Sequence, residues 1–199
     1  MAQKPDHIGR EILPVPDRPA KGKMALDARN AEFPAIEPLR PPKGAPNVVI
    51  ILIDDMGFGA PSANGGPCYM PAMEKVAERG LQYNRFHTTA LCSPTRQALL
   101  TGRNHHSAGM GSVAEVATGA PGNDSVRPNT VATVAETLRL NGYSTGAVGK
   151  MHQTPVWEVS MSGPFDRWPT GDGFEKFYGF VGGETNQWAP TVFNGTTPV

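Results

Sequence analysis

Three short segments of this chain carry side chains that could do chemistry together: Asp54-Asp55, Cys92 with Arg96, and Lys150 with His152. The Asp pair follows an apolar run and precedes Met56-Gly57-Phe58-Gly59. Successive strand residues point to opposite faces, so adjacent carboxylates converge on one ion only where the strand breaks, and glycine supplies such a break. Paired carboxylates there suit a hard cation such as Ca2+ or Mg2+. They equally suit a solvated turn whose Asp side chains accept from backbone amides. In Leu91-Cys92-Ser93-Pro94-Thr95-Arg96, Cys92 stands just before a helix that Pro94 opens and Ser93 is expected to cap. Unpaired amides at that helix end favour an anion and would lower a thiol pKa. Arg96, one turn on, can reach the same side and hold a tetrahedral oxyanion. The alternative is a Cys packed as a small hydrophobe, with Arg96 on a solvated face. Lys150 and His152, two apart, share one side of an extended segment, where Lys can neutralise an anion and His can move protons. They could also be two polar residues of a surface loop. Gly149-Lys150 is no phosphate-binding P-loop, because the upstream glycine spacing is wrong and Met151 stands where Ser or Thr should be.

The elements that must position these groups follow from periodicity. Val48 to Ile53 is β-branched, apolar on both faces and too short for a typical helix, which predicts a buried parallel strand ending at the Asp pair. Helices are predicted over Pro71–Arg79, with Gly80 as the stop, and over Pro94–Gly102. Val131, Val134, Ala135 and Leu138 repeat at helical spacing, and Asn141-Gly142 ends that third helix. Leu81 to His87 and Tyr143 to Val148 read as strands. The alternation predicts an α/β layered domain with a largely parallel sheet flanked by helices, and such sheets bind ligands beyond the carboxyl ends of their strands. From Gly149 onward Gly, Pro and aromatic residues dominate and no long element is predicted.

Composition narrows the function. Among 199 residues, 18 Lys and Arg balance 18 Asp and Glu, which argues against a coat for nucleic acid or for an anionic membrane. The longest apolar run is six residues, far short of the roughly 20 that a spanning helix needs. The first thirty residues hold Lys4, Arg10 and Arg18 but no apolar stretch, so no secretory signal is visible and a cytoplasmic location is expected. Cys68 and Cys92 cannot make a disulfide framework, and Cys68 is expected to be structural. Without a signal, the glycosylation patterns at Asn123 and Asn194 carry little weight. Nine of the 20 prolines lie before residue 47, so residues 1–46 are expected to be an extended arm or linker and residues 47–199 the regularly folded part.

Cys92-Ser93-Pro94-Thr95-Arg96 followed by Leu100-Thr101-Gly102 resembles the Cys-x-Pro-x-Arg signature of the type I sulfatases. Val49 to Gly59 and Gly146 to His152 resemble the flanking motifs of that family in the same order, most strongly in its bacterial arylsulfatase branch. The resemblance implies an alkaline-phosphatase/sulfatase-like fold, incomplete in this chain, and a hydrolase of aryl or alkyl sulfate esters. It implies that a formylglycine-generating enzyme converts Cys92 to an aldehyde whose hydrate attacks sulfur and later expels sulfate. It also implies Ca2+, in preference to Mg2+, bound by Asp54, Asp55 and the group at residue 92. Arg96 would hold the ionised hydrate, Lys150 would bridge sulfate and nucleophile, and His152 would orient or deprotonate the hydrate. A phosphonate monoester or phosphodiester hydrolase using the same signature is the alternative, and an inactive fragment keeping only the anion pocket is a third. The family completes its metal site with an Asp-Asn pair, a second His and a second Lys from further downstream. Nothing here matches those motifs, so the 199-residue chain is expected to be a fragment, inactive and marginally folded by itself. His105-His106 are not expected to substitute for them.

Overall fold

The computed structural model describes residues 22–36 and 38–199, so the opening of the Pro-rich segment, residues 1–21 with its Lys4, Arg10 and Arg18, lies outside the described residues. The chain divides into two compact units, Met1–Pro38 and Leu39–Val199. In the first, Lys23 and Glu32 form an antiparallel bridge around a 3-10 turn, Ala28–Asn30, where the Asp27 side chain accepts from the Arg29 amide.

The second unit holds three helices and one sheet. Helix α1 spans Pro71–Ala77, with proline at its first position, where the missing amide costs nothing. Helix α2 spans Cys92–Thr101 and stops at Gly102, whose φ of 64° is the left-handed cap that glycine adopts freely. Its cap residue is Leu91, not Ser93, so the helix starts before the predicted point and Cys92 is its first residue. Helix α3 spans Val134–Arg139. Of the predicted apolar face, Ala135 and Val131 are buried but Val134 is exposed, and the helix starts late because Thr133 caps it, its hydroxyl accepting from the Glu136 amide. That Thr-x-x-Glu signature is visible in the sequence and marks the start better than the apolar repeat does.

Strand β1 spans Gly146–Lys150 and pairs in parallel with β2, Lys176–Phe180. Two short strands, β3 (Phe193–Asn194) and β4 (Thr197–Pro198), extend the sheet antiparallel in the order β1-β2-β3-β4. The β1–β2 pair carries the parallel arrangement predicted, and the sheet as described is mixed. Strand β2 lies in the Gly-rich region where no long element is expected, and it carries Gly179 as its fourth residue. The pairing requires that glycine: a Cβ on it would lie 2.1 Å from the Gly149 carbonyl oxygen on β1.

Two predicted strands are corrected. Val48 to Ile53 forms no ladder with any described strand, and its side chains are 41 to 81% exposed. Leu81 to His87 is likewise irregular and exposed. A strand is stabilised by cross-strand partners rather than by its own propensity, and among the described residues none lies in register with either run.

The core gathers Met151, Trp168, Phe177, Val181 and Phe193, with Leu100 of α2 and Ala147 of β1 packed against it. Trp168 meets Phe165 and Phe193 edge-on at 5.1 and 4.9 Å, and its indole N–H donates to the Glu158 carbonyl at 2.6 Å. This core fixes the C-terminal end of β1 and, through Leu100, the body of α2. Among the described residues no helix is long and apolar enough to cross a membrane.

Candidate active site

The first turn of α2 and the end of β1 meet at the residues singled out by sequence. Cys92 presents its Sγ 3.0 Å from His152 Nδ1. Arg96, one turn on and 7% exposed, donates from Nη1 to the Lys150 carbonyl at 2.6 Å and from Nη2 to Asp54 Oδ1 at 2.9 Å. Lys150 Nζ donates to the other oxygen, Asp54 Oδ2, at 2.6 Å. One carboxylate is thus clamped by two cations, and the clamp joins three segments far apart in sequence. Burial pushes the Asp54 carboxyl up, but hydrogen bonds and charge from Lys150 and Arg96 outweigh it and hold the group below its usual range. The Nε of Arg96 is buried without a partner, a donor left over at this site.

The approach of Lys150 and His152 to one side comes about differently from the expectation. The segment is not extended at His152, whose φ of 52° lies in the left-handed region that a non-glycine residue adopts only when its surroundings enforce it. Here the enforcement is visible: Met151 is locked into the core and donates its amide to Phe180, while the imidazole, 4% exposed, is held at both nitrogens. Its Nε2 lies 2.7 and 2.9 Å from the two oxygens of Glu115. Sequence inspection missed Glu115. It stands 37 residues before its partner in a stretch with no motif of its own, and no local spacing could have pointed to it.

Ser93 has a role other than the cap expected. It is fully buried, and its hydroxyl accepts the Ala114 amide at 3.3 Å, tying α2 to the 3-10 turn Ala114–Val116 that carries Glu115.

Asp55 stands beside Asp54 in an exposed turn, with φ 52°. The pair offers hard carboxylate oxygens, the right kind of donor for Ca2+. Among the described residues, however, no three acidic, His or Cys side chains converge as a metal would require. The donors fit such an ion in kind, and the rest of the six to eight oxygens that Ca2+ takes would have to come from elsewhere. His105 and His106 stack on each other at 4.3 Å, and His105 Nδ1 is engaged by the Met110 carbonyl, so neither joins the site. Cys68 is exposed beside a backbone bridge to Pro61.

The sulfatase family profile matches residues 46–199. The chain is 33% identical over 153 residues to an arylsulfatase of Klebsiella aerogenes, covering 76% of this chain and 31% of that protein. It is 37% identical over 136 residues to human arylsulfatase A, covering 67% of this chain and 25% of the relative. An uncharacterized sulfatase of Schizosaccharomyces pombe is 33% identical over 151 residues, 72% of this chain and 26% of the relative. The chain therefore spans between a quarter and a third of the length of these relatives. Its fold matches the crystal structure of Ps i-CgsB in complex with k-i-k-neocarrahexaose, with a TM-score of 0.51 and 24% identity over 73% of this chain and 35% of that one.

Proposed function

Because this chain belongs to the sulfatase family, with the alkaline-phosphatase-like α/β fold of that family, we propose that it forms the nucleophile-bearing part of a hydrolase of aryl or alkyl sulfate esters. The observation that carries this reading is the meeting of Cys92, Arg96, Lys150, His152 and Asp54 at the first turn of α2. Three segments dispersed over about a hundred residues have no structural need to bring two cations, an imidazole and a thiol to one point. An anionic ester provides the need.

Cys92 is the residue that a formylglycine-generating enzyme would convert, and its aldehyde, once hydrated, supplies an oxygen nucleophile that can also release sulfate by re-forming the carbonyl. A calcium ion held by Asp54, Asp55 and the group at residue 92 would add Lewis-acid polarisation of the ester. The remaining work falls to the chain's own side chains. His152 Nδ1, at hydrogen-bond distance from the atom on Cβ of residue 92, is placed to take a proton from that group as it attacks. Residue 92 is the first residue of α2, where the positive end of the helix favours its ionised form, and Arg96 one turn on adds a cation held by Asp54 and the Lys150 carbonyl. Lys150 sits one clamp away, on Asp54. Its ammonium would turn to a sulfuryl oxygen, where negative charge grows as the ester bond breaks.

The test uses the full gene product co-expressed with a converting enzyme and assayed on an aryl sulfate and on an aryl phosphonate monoester. Sulfate ester turnover should dominate, and Cys92→Ala or Arg96→Ala should each lower kcat by about 10²-fold or more. Full turnover in Cys92→Ala would overturn the nucleophile assignment, and preferred cleavage of the phosphonate would move the protein to the alternative reaction class.

A further inference from the structure

His152 can serve residue 92 only in one of its two neutral forms. A neutral imidazole carries one N–H, and the nitrogen facing Cys92 must be the bare one if it is to accept a proton. The nitrogen on the other side, Nε2, lies within hydrogen-bond distance of both Glu115 oxygens. Partial burial pushes the Glu115 carboxyl up, but the hydrogen bond from His152, one from its own backbone and the charge of Lys150 act against this, and the carboxyl lies below its usual range. An ionised carboxylate only accepts, so Nε2 must carry the proton.

We propose that Glu115 is the positioning residue of this site: by accepting Nε2–H of His152 it leaves Nδ1 bare toward residue 92 and fixes the ring in that orientation. The inference rests on the sulfatase reading for its catalytic consequence, not for its geometry. Two further features point to a built arrangement. The turn bearing Glu115 is held to the nucleophile's own helix by the buried Ser93 hydroxyl, so base, orienter and nucleophile are referenced to one element. On the open side Gly183 closes the contact: a Cβ there would lie 2.8 Å from Cε1 and Nε2 of His152 and 3.0 Å from Glu115 Oε1. A side chain there would have to push the imidazole or the carboxylate aside.

The decisive variant is Glu115→Gln, which keeps size and shape. A carboxamide can turn its NH2 toward Nε2 and drive the proton to Nδ1, the wrong nitrogen for a base at residue 92. In Ser-His-Asp enzymes the corresponding change leaves geometry intact and lowers kcat by about 10⁴-fold. In the full gene product with residue 92 converted, Glu115→Gln should lower kcat at least ~10-fold with KM for the aryl sulfate nearly unchanged. Gly183→Ala should lower kcat in the same direction. A second readout needs no turnover: nitrogen-15 NMR of the unconverted protein, with Cys92 intact, should show His152 Nδ1 unprotonated in the wild type and protonated in Glu115→Gln. Wild-type kcat in Glu115→Gln, or a protonated Nδ1 in the neutral wild-type ring, overturns the inference. A converted, folded wild type without ester turnover would instead overturn the sulfatase reading, and the nitrogen spectra would still decide the role of Glu115.

Discussion

At the scale of single residues, the site is a set of polar groups that neutralise one another until a substrate arrives. Asp54 accepts from Lys150 and Arg96, and Glu115 accepts from His152, so these side chains are already aligned on one another. These pairs are worth little as stability, because Asp54 and Glu115 keep 38 and 47% of their side chains in water. Their value is orientation. The Glu115 pair has a directional pH consequence. Its carboxyl is lowered in the folded state, so the pairing is fully present above the ordinary Glu range and fades as pH falls through the lowered value. A carbon-13 titration of Glu115 should give a midpoint below 4.5, and His152→Ala should raise it. A wild-type midpoint at or above that value would show that His152 exerts no hold on the carboxylate.

At the scale of elements, the site depends on the end of β1, the start of α2, the turn carrying Glu115 and the turn after residue 53. The clamp on Asp54 achieves the last of these even though Val48–Ile53 forms no ladder. The sequence carried much of this. Helices α1 and α2 and the parallel strand β1 stand close to where apolar spacing, Pro71 and Gly102 put them, because those signals are local. The pairing of Val48–Ile53 could not be read the same way, since a β-branched run states a preference and its partner decides the outcome. Glu115 was hidden for a related reason, because its only identifying contact is with a residue 37 positions away. The difference between these elements is measurable. In the 199-residue chain, amide hydrogen exchange should be slow across the β1–β2 ladder and fast across 48–53. Strong protection of 48–53 would show that this run finds a partner.

At the scale of the whole molecule, the unit Leu39–Val199 joins a buried aromatic core to many exposed apolar side chains. Trp168 and Phe177 are buried, yet Val148 on edge strand β1 is 83% exposed and the Val48–Ile53 run lies open. Exposed apolar runs and an unpaired strand edge invite association with further chain or with other molecules. The chain spans a quarter to a third of its sulfatase relatives, and the activity proposed here is that of the full gene product. In that product residue 92 is the precursor of the nucleophile. After co-expression with a formylglycine-generating enzyme, peptide mass spectrometry should find the aldehyde at position 92 and an intact thiol at Cys68. An unmodified thiol at Cys92 under those conditions, in a folded protein that still cleaves sulfate esters, would contradict the account.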